Sequence, residues 1–204
     1  MCSARVLEPS YHAIKQHLMD GSWPWGLRLE AGKIADMLST SITPVRDSLH
    51  RLVGEQMVSF APGQGFYVPR MNETELRDLF ELNLILLLAA ITSSSQNSSA
   101  ISADGSYPDQ VSNIFLQLGA RSGNGALIAS ISALNNRLYQ FRRCDASLVE
   151  DIDSELKELK AASNDETTSA ILRGLVMRYH NRRSAEAAGF IRLMSSNLDL
   201  PSLA

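Results

Sequence analysis

Apolar residues recur at helical spacing through the first third of the chain. Tyr11, Ile14 and Leu18 share one face of a segment opened by Pro9 and Ser10 and closed by Gly21, which predicts a first helix. Ser22 to Gly26, with Trp23, Pro24 and Trp25, reads as a connection. A second short helix is expected over about residues 31–38, with Ile34, Ala35 and Leu38 on one side, and Ser39-Thr40-Ser41 breaks it. A third should begin near Thr43, with Pro44 in the first helical position, where its missing N–H would be unpaired anyway, and the hydroxyls before it as caps. Val45, Leu49, Leu52 and Val53 form its apolar face. Met57 to Ala61 and Phe66 to Val68 are short β-like runs, and Pro62-Gly63-Gln64-Gly65 between them is turn chemistry. Three short helices and a hairpin make a winged helix-turn-helix.

After residue 70 only helical spacing appears. Asn72 ahead of Glu73 and Glu75 is a helix-start signal, because acids suit a first helical turn. Leu76, Leu79, Phe80 and the run from Leu82 to Ile91 continue a helix apolar nearly all round, which belongs in a bundle core or between subunits. Residues 92–106, rich in Ser, Asn, Gly and Ala, read as a loop. Further helices are expected at about 108–120, 124–143, 147–163 and 166–196. The fold class is therefore mainly α. A winged helix-turn-helix, three helices and a β-hairpin wing, occupies residues 1–70, and an all-α bundle of about five to six helices occupies residues 71–204.

Composition narrows the class of function. The 204 residues are 45% hydrophobic and 20% charged, ordinary for a globular chain of one large or two small domains. The longest apolar run, Leu84 to Ile91, falls well short of the roughly 20 residues a membrane span needs. No secretory signal opens the chain, and two cysteines, Cys2 and Cys144, make no disulfide framework. A cytoplasmic location without membrane attachment is expected. The net charge of −3 is split unevenly. Residues 1–70 hold seven basic and six acidic side chains, and the remainder 12 and 16. The sign of that asymmetry suits nucleic-acid binding by the first third.

The outer face of the third helix carries the candidate chemistry. Thr43, Arg46 and His50 line up at i, i+3 and i+7, with Arg51 close by: a cation that can fork to guanine or clamp phosphate, among residues short enough to admit the helix to a major groove. The bland alternative is a helical pair of Arg46 with Asp47 or His50. The stretch Ser41-Ile-Thr-Pro-Val-Arg-Asp-Ser-Leu49, with Ile34-Ala35 before it and Gly65-Phe-Tyr-Val68 after it, resembles the DNA-binding domain of the GntR family. The resemblance implies contacts to double-stranded DNA from Lys33, Ser41, Thr43, Arg46, His50 and Arg51, and from Gln64 and Gly65 at the wing tip. Lys33 is otherwise an ordinary surface lysine, and Gln64 and Gly65 are otherwise hairpin residues. One departure is Ile42, where the family usually has a basic residue.

The helical remainder, entered by Asp78-Leu-Phe-Glu-Leu82, is similar to the FCD branch of that family, which implies a homodimer on a pseudo-palindromic operator and a small organic acid as effector. Here too the chain departs from the pattern. Asn83 and Leu87 replace an Arg and a Glu of the entry helix, while Ser112 and Leu116 replace an Asp and a His that are metal ligands in many members. Only His180 lies beyond residue 50, so three imidazoles cannot converge, and no metal or other cofactor is expected. Arg142, Arg143, Arg178 and His180 are the candidates for holding an acidic effector, because arginine forks match carboxylates, with solvated helix surface as the alternative. Cys144 lacks a nucleophile-base setting. With no phosphate loop, paired carboxylates or Ser/His arrangement, an enzyme is not expected. A constitutive DNA-binding dimer whose helical domain has lost its ligand is the competing reading.

Overall fold

Tyr11, Ile14 and Leu18 are buried along one side of α1 (Ser3–Met19). The computed structural model describes residues 3–93, 105–164 and 169–196, with side chains from residue 8 onward. Helix α1 starts ahead of the expected position, and Pro9 lies inside it instead of opening it. β1 (Arg28–Leu29), α2 (Ala31–Met37) and α3 (Ile42–Gly54) follow, then β2 (Ser59–Ala61) and β3 (Gly65–Tyr67). The α2–α3 turn passes through Ser39 at φ +50°, and the Thr40 N–H closes it on the Ala35 carbonyl at 2.9 Å.

Helix α3 begins one residue earlier than its sequence suggests. Ser41 is the N-cap, its side chain makes no capping bond, and Pro44 becomes the third helical residue. The proline is still tolerated, because the first turn's N–H groups have no intrahelical partner. Val45, Leu49 and Leu52 on the inner face are all fully buried. The β2–β3 hairpin turns at Gly63 (φ +76°) and Gly65 (φ +102°), conformations a Cβ would strain. Strand β3 is central, with β2 on one side and β1 antiparallel on the other, pairing Leu29 with Phe66. Two residues are too few to show a β alternation, which is why β1 is invisible in the sequence.

Seven helical segments follow among the described residues: α4 (Glu73–Thr92), α5 (Tyr107–Arg121), α6 (Gly125–Arg143), α7 (Asp145–Leu148), α8 (Ile152–Asn164), α9 (Ser169–Ala185) and α10 (Ala187–Ser196). That exceeds the expected five to six because two long patterns are each interrupted. Asp151 at φ +54° separates α7 from α8, and Glu186 separates α9 from α10. Most of the loop expected over 92–106, and the start of the helix expected at 166, lie outside the described residues. The Asn72 cap forms with its full reciprocal box: its side chain accepts from the Glu75 N–H at 3.0 Å and Glu75 accepts from the Asn72 N–H at 2.8 Å. Leu87, Ala90 and Ile91 of α4 pack with apolar residues of α5, α6, α8 and α9 in one core. Gly119 lets α5 approach α6 closely, since a Cβ there would stand 3.0 Å from Ile131. Packing divides the described residues into two units, one built on the residues up to Arg70 and the other on Met71–Leu193.

Truncating the α3 anchor tests the first unit. Leu49→Ala should lower its stability by about 3 kcal/mol, as buried leucine truncations do. The two tryptophans, Trp23 and Trp25, both lie in this unit, so their emission during urea unfolding reads the change. A loss below about 1 kcal/mol would contradict a fully packed anchor.

Candidate nucleic-acid interface

Burying Val45, Leu49 and Leu52 turns the opposite side of α3 outward. Ser41, Ile42, Thr43, Arg46, Asp47, His50 and Arg51 are all exposed. Arg46 has no hydrogen bond or ion pair among the described residues, so the pairing with Asp47 or His50 is not made. Its guanidinium is free to meet a partner.

Arg51 is differently engaged. It lies over the Tyr11 ring at 3.7 Å and forms ion pairs with Glu8 at 3.2 Å and Glu55 at 3.4 Å. Glu55 accepts from the Tyr11 hydroxyl at 2.7 Å and from Lys15 at 3.3 Å, so these side chains clamp α1 to the C-terminal end of α3. Lys33 is paired with Glu30 at 3.5 Å, one helical turn back. His50 packs edge-on against Phe66 at 4.8 Å and beside Phe60 at 5.6 Å, which joins the helix to the wing. Gln64 is exposed at the wing tip, with its carbonyl accepting from the Tyr67 hydroxyl at 3.1 Å. Gly65 beside it holds the turn. Of the eight residues singled out from sequence, Lys33 and Arg51 are ion-paired and His50 packs on the wing rings, while Arg46, Thr43, Ser41 and Gln64 have neither kind of contact among the described residues.

Sequence reading missed Arg28. It is exposed on β1, opposite Tyr67, and its Nε would stand 3.9 Å from a Cβ at Gly65, so a second cation borders the wing. A lone arginine outside any recognised strand carries no signal until β1 is seen to pair with β3.

The four candidates for an acidic ligand do not converge. Arg143 and Arg178 are exposed, and Arg178 is paired with Glu158. Arg142 and His180 are each 1% exposed and flank one ring, Phe115, at 5.2 and 5.5 Å. Arg142 donates to the Ser112 hydroxyl at 2.7 Å and the Asn135 carbonyl oxygen at 2.9 Å, both neutral, and its Nε has no partner among the described residues. Sequence reading also missed Arg183, fully buried nearby. It meets Asp145 and Glu155 at 2.8 Å each and donates to the Tyr107 hydroxyl at 2.7 Å. Burial opposes its charge, but Tyr179, Asp145, Tyr107 and Glu155 hold its pKa above the ordinary value.

Domain-family comparison decides the first unit. Residues 9–68 match the family described as bacterial regulatory proteins, gntR family. Those residues form a GntR-family helix-turn-helix domain. The HTH-type transcriptional regulator McbR of Escherichia coli (strain K12) is 36% identical over 84 residues, 41% of this chain and 38% of McbR. The chain thus matches well under half of that relative's length in sequence. In fold the similarity is wider. A GntR protein from Rhodococcus sp. RHA1 superposes with TM-score 0.72 at 14% identity, covering 91% of this chain and 98% of that one. The E. coli McbR/YncC structure gives 0.64 at 21% identity, covering 90% and 97%.

Burial also fixes the state of His180. Its Nδ1 lies 2.7 Å from the Val176 carbonyl, which can only accept, so Nδ1 carries the proton. Burial, reinforced by Arg142 and Arg183, lowers its pKa from 6.5 to about 3, so the ring is neutral and Nε2 is an acceptor. Asn83 stands 2.8 Å from Nε2, and its amide nitrogen lacks another partner, so the amide orientation that donates to Nε2 satisfies both groups. The sign for stability follows. Below pH 6.5 the unfolded ring takes up a proton that the folded ring refuses until about pH 3, so the second unit loses stability as pH falls across that window. The slope is about 1.4 kcal/mol per pH unit for one such group. The His180 ring resonances should stay fixed in an NMR titration from pH 8 to 4.5, and a midpoint near 6.5 would refute a buried neutral ring.

Proposed function

We infer that this protein is a DNA-binding transcription regulator, a GntR-type repressor or activator that binds a pseudo-palindromic operator as a homodimer. The observation that carries the reading is Arg46, exposed and unpaired on the outer face of α3 within a domain matching the GntR family. On this reading Arg46 reads a base edge or clamps phosphate, with Ser41 and Thr43 leaving room for the helix in the major groove. Gln64 and Gly65 contact the backbone or minor groove from the wing, and Lys33 and His50 border the same duplex. Arg51 contributes chiefly by fixing α3 to α1. Two identical heads match a two-fold operator. A cytoplasmic location goes with this role. No helix among the described residues is long and apolar enough to cross a membrane, and no three His, Cys, Asp or Glu side chains cluster there as metal ligands.

The test is binding to the DNA upstream of its own gene. Arg46→Ala should weaken specific binding by about 1–3 kcal/mol and leave thermal stability unchanged. Arg51→Ala should lower the stability of the first unit, by about 1 kcal/mol from its ring and ion-pair contacts. Unchanged affinity in Arg46→Ala, measured by fluorescence anisotropy at fixed salt, would remove the reading's main support.

Two readings of the second unit rest on different observations. Arg142, buried with neutral partners and an unpaired Nε, is the group through which a small organic acid would be held, with His180 across the Phe115 ring. Against it, Asp145 and Glu155 already match the charges of Arg142 and Arg183 in number, which favours a self-contained bundle in a constitutive DNA-binding dimer. A thermal-shift panel of organic acids separates them, because a ligand of the folded state raises Tm. A saturable rise supports the effector, and a flat response supports the self-contained bundle.

A further inference from the structure

The apolar stripe of α3 runs on past the point where the core ends. Ile42 stands two turns ahead of Leu49 on that side of the helix, yet Leu49 is fully buried and Ile42 is 45% exposed. A lone exposed apolar residue is ordinary on a protein surface. The setting of this one is not. Ile42 is the first residue of α3, flanked by the exposed Ser41 and Thr43 and one turn ahead of the exposed Arg46. The first residues of a helix docked in the major groove are the ones that meet base edges. Ile42 also has the longest side chain among Ser41, Ile42, Thr43 and Pro44, so it reaches farthest from that end of the helix.

We propose that Ile42 reads thymine, its side chain packing on the C5-methyl group in the major groove, in the same half-site as Arg46. The inference rests on the DNA-binding reading and deepens it by assigning a base. Chemistry selects this feature. Along the major-groove edge guanine offers two acceptors, adenine an acceptor and a donor, and cytosine a donor. Isoleucine has no polar side-chain atom and can complement none of them. Thymine alone presents an apolar group there, the methyl beside its O4. Branching at Cβ holds the Ile42 side chain to one main rotamer in a helix, so little freedom is lost on contact. Ile42 and Arg46 then divide the reading, one by burial of a methyl group and the other by charge and hydrogen bonds.

Removing the methyl group from the DNA tests the contact. The DNA upstream of its own gene is prepared once with thymidine and once with deoxyuridine throughout, which differs only in lacking the C5-methyl. Fluorescence anisotropy at fixed salt then compares the wild type with Ile42→Ala on both duplexes. Burying one methyl group contributes about a fourfold gain in affinity, so the wild type should lose at least that much more than Ile42→Ala on passing to deoxyuridine. A difference under about twofold, or an Ile42→Ala as tight as the wild type on thymidine DNA, would overturn the contact. An apolar contact releases no counterions, so the slope of log Kd against log salt should match in the two proteins. A shallower slope in Ile42→Ala would mean that the substitution shifts the docked helix, and would likewise overturn it. Because Ile42 is exposed, its truncation leaves the fold intact, and an unchanged Tm verifies this. Arg46→Ala keeps the two ideas apart. A wild type that binds both duplexes equally, while Arg46→Ala binds both more weakly, sinks the thymine contact alone. A wild type that binds neither duplex sinks the regulator reading, and the thymine contact falls with it.

Discussion

A helix can offer one face to a duplex only if the other face holds it against thermal motion. In α3 that hold comes from Val45, Leu49 and Leu52, all fully buried, and from the clamp of Tyr11, Lys15, Arg51 and Glu55 at its C-terminal end. The two devices differ in kind. Apolar burial is non-directional and sets how deeply the helix sits, whereas the clamp uses directional bonds and sets its rotation relative to α1. With depth and rotation fixed, the direction of the Arg46 stem follows from helical geometry alone. His50 adds a third tie by resting on Phe60 and Phe66, so the wing and α3 are held as one surface.

The division of labour among the arginines follows from where acids stand. Arg51 has Glu8 and Glu55 within reach, and Lys33 has Glu30, so these cations spend their charge within the chain. Arg46 and Arg28 have no such neighbour. A net charge near neutral for the first third is therefore compatible with a cationic surface, because internal pairing removes some charges from solvent view and leaves others. Counting charges along the sequence gives their sum, and the sum does not distinguish paired cations from free ones.

Much of the first unit, and the start of the second, was legible because the elements there are set locally. The spacing of Val45, Leu49 and Leu52, the glycines of the hairpin turn and the Asn72-Glu75 box each act within a few residues, and each formed as read apart from shifts at the ends of α1 and α3. β1 was not legible, since its two residues become a strand only by pairing with β3. The breaks at Asp151 and Glu186 were missed because apolar spacing continues across both. Candidate DNA contacts were found by their place on an outer helix face. Whether each was free or paired depended on residues as distant as Glu8 and Arg51, which local spacing does not report.

Buried charge was missed for a different reason, and the signal was present. Leu172, Val176, Tyr179 and Arg183 follow one another at steps of four, three and four, as do Ile131, Asn135, Leu138 and Arg142. The spacing places both guanidiniums on core stripes, and only the habit of assigning arginine to the surface hides them. Their environments then diverge. Arg183 holds both carboxylates of the cluster at 2.8 Å, while Arg142 meets a hydroxyl and an amide. The two buried carboxylates equal the two buried guanidiniums in number, Glu155 pairs with Arg182 as well, and Arg142 lies at the end beside Phe115 and the neutral His180. Asp145 acts on both: its Oδ2 pairs with Arg183 at 2.8 Å, and Arg142 also favours its charged form against the cost of burial. Asp145 therefore serves both guanidiniums, and loss of its carboxylate would strand Arg183 and Arg142 together.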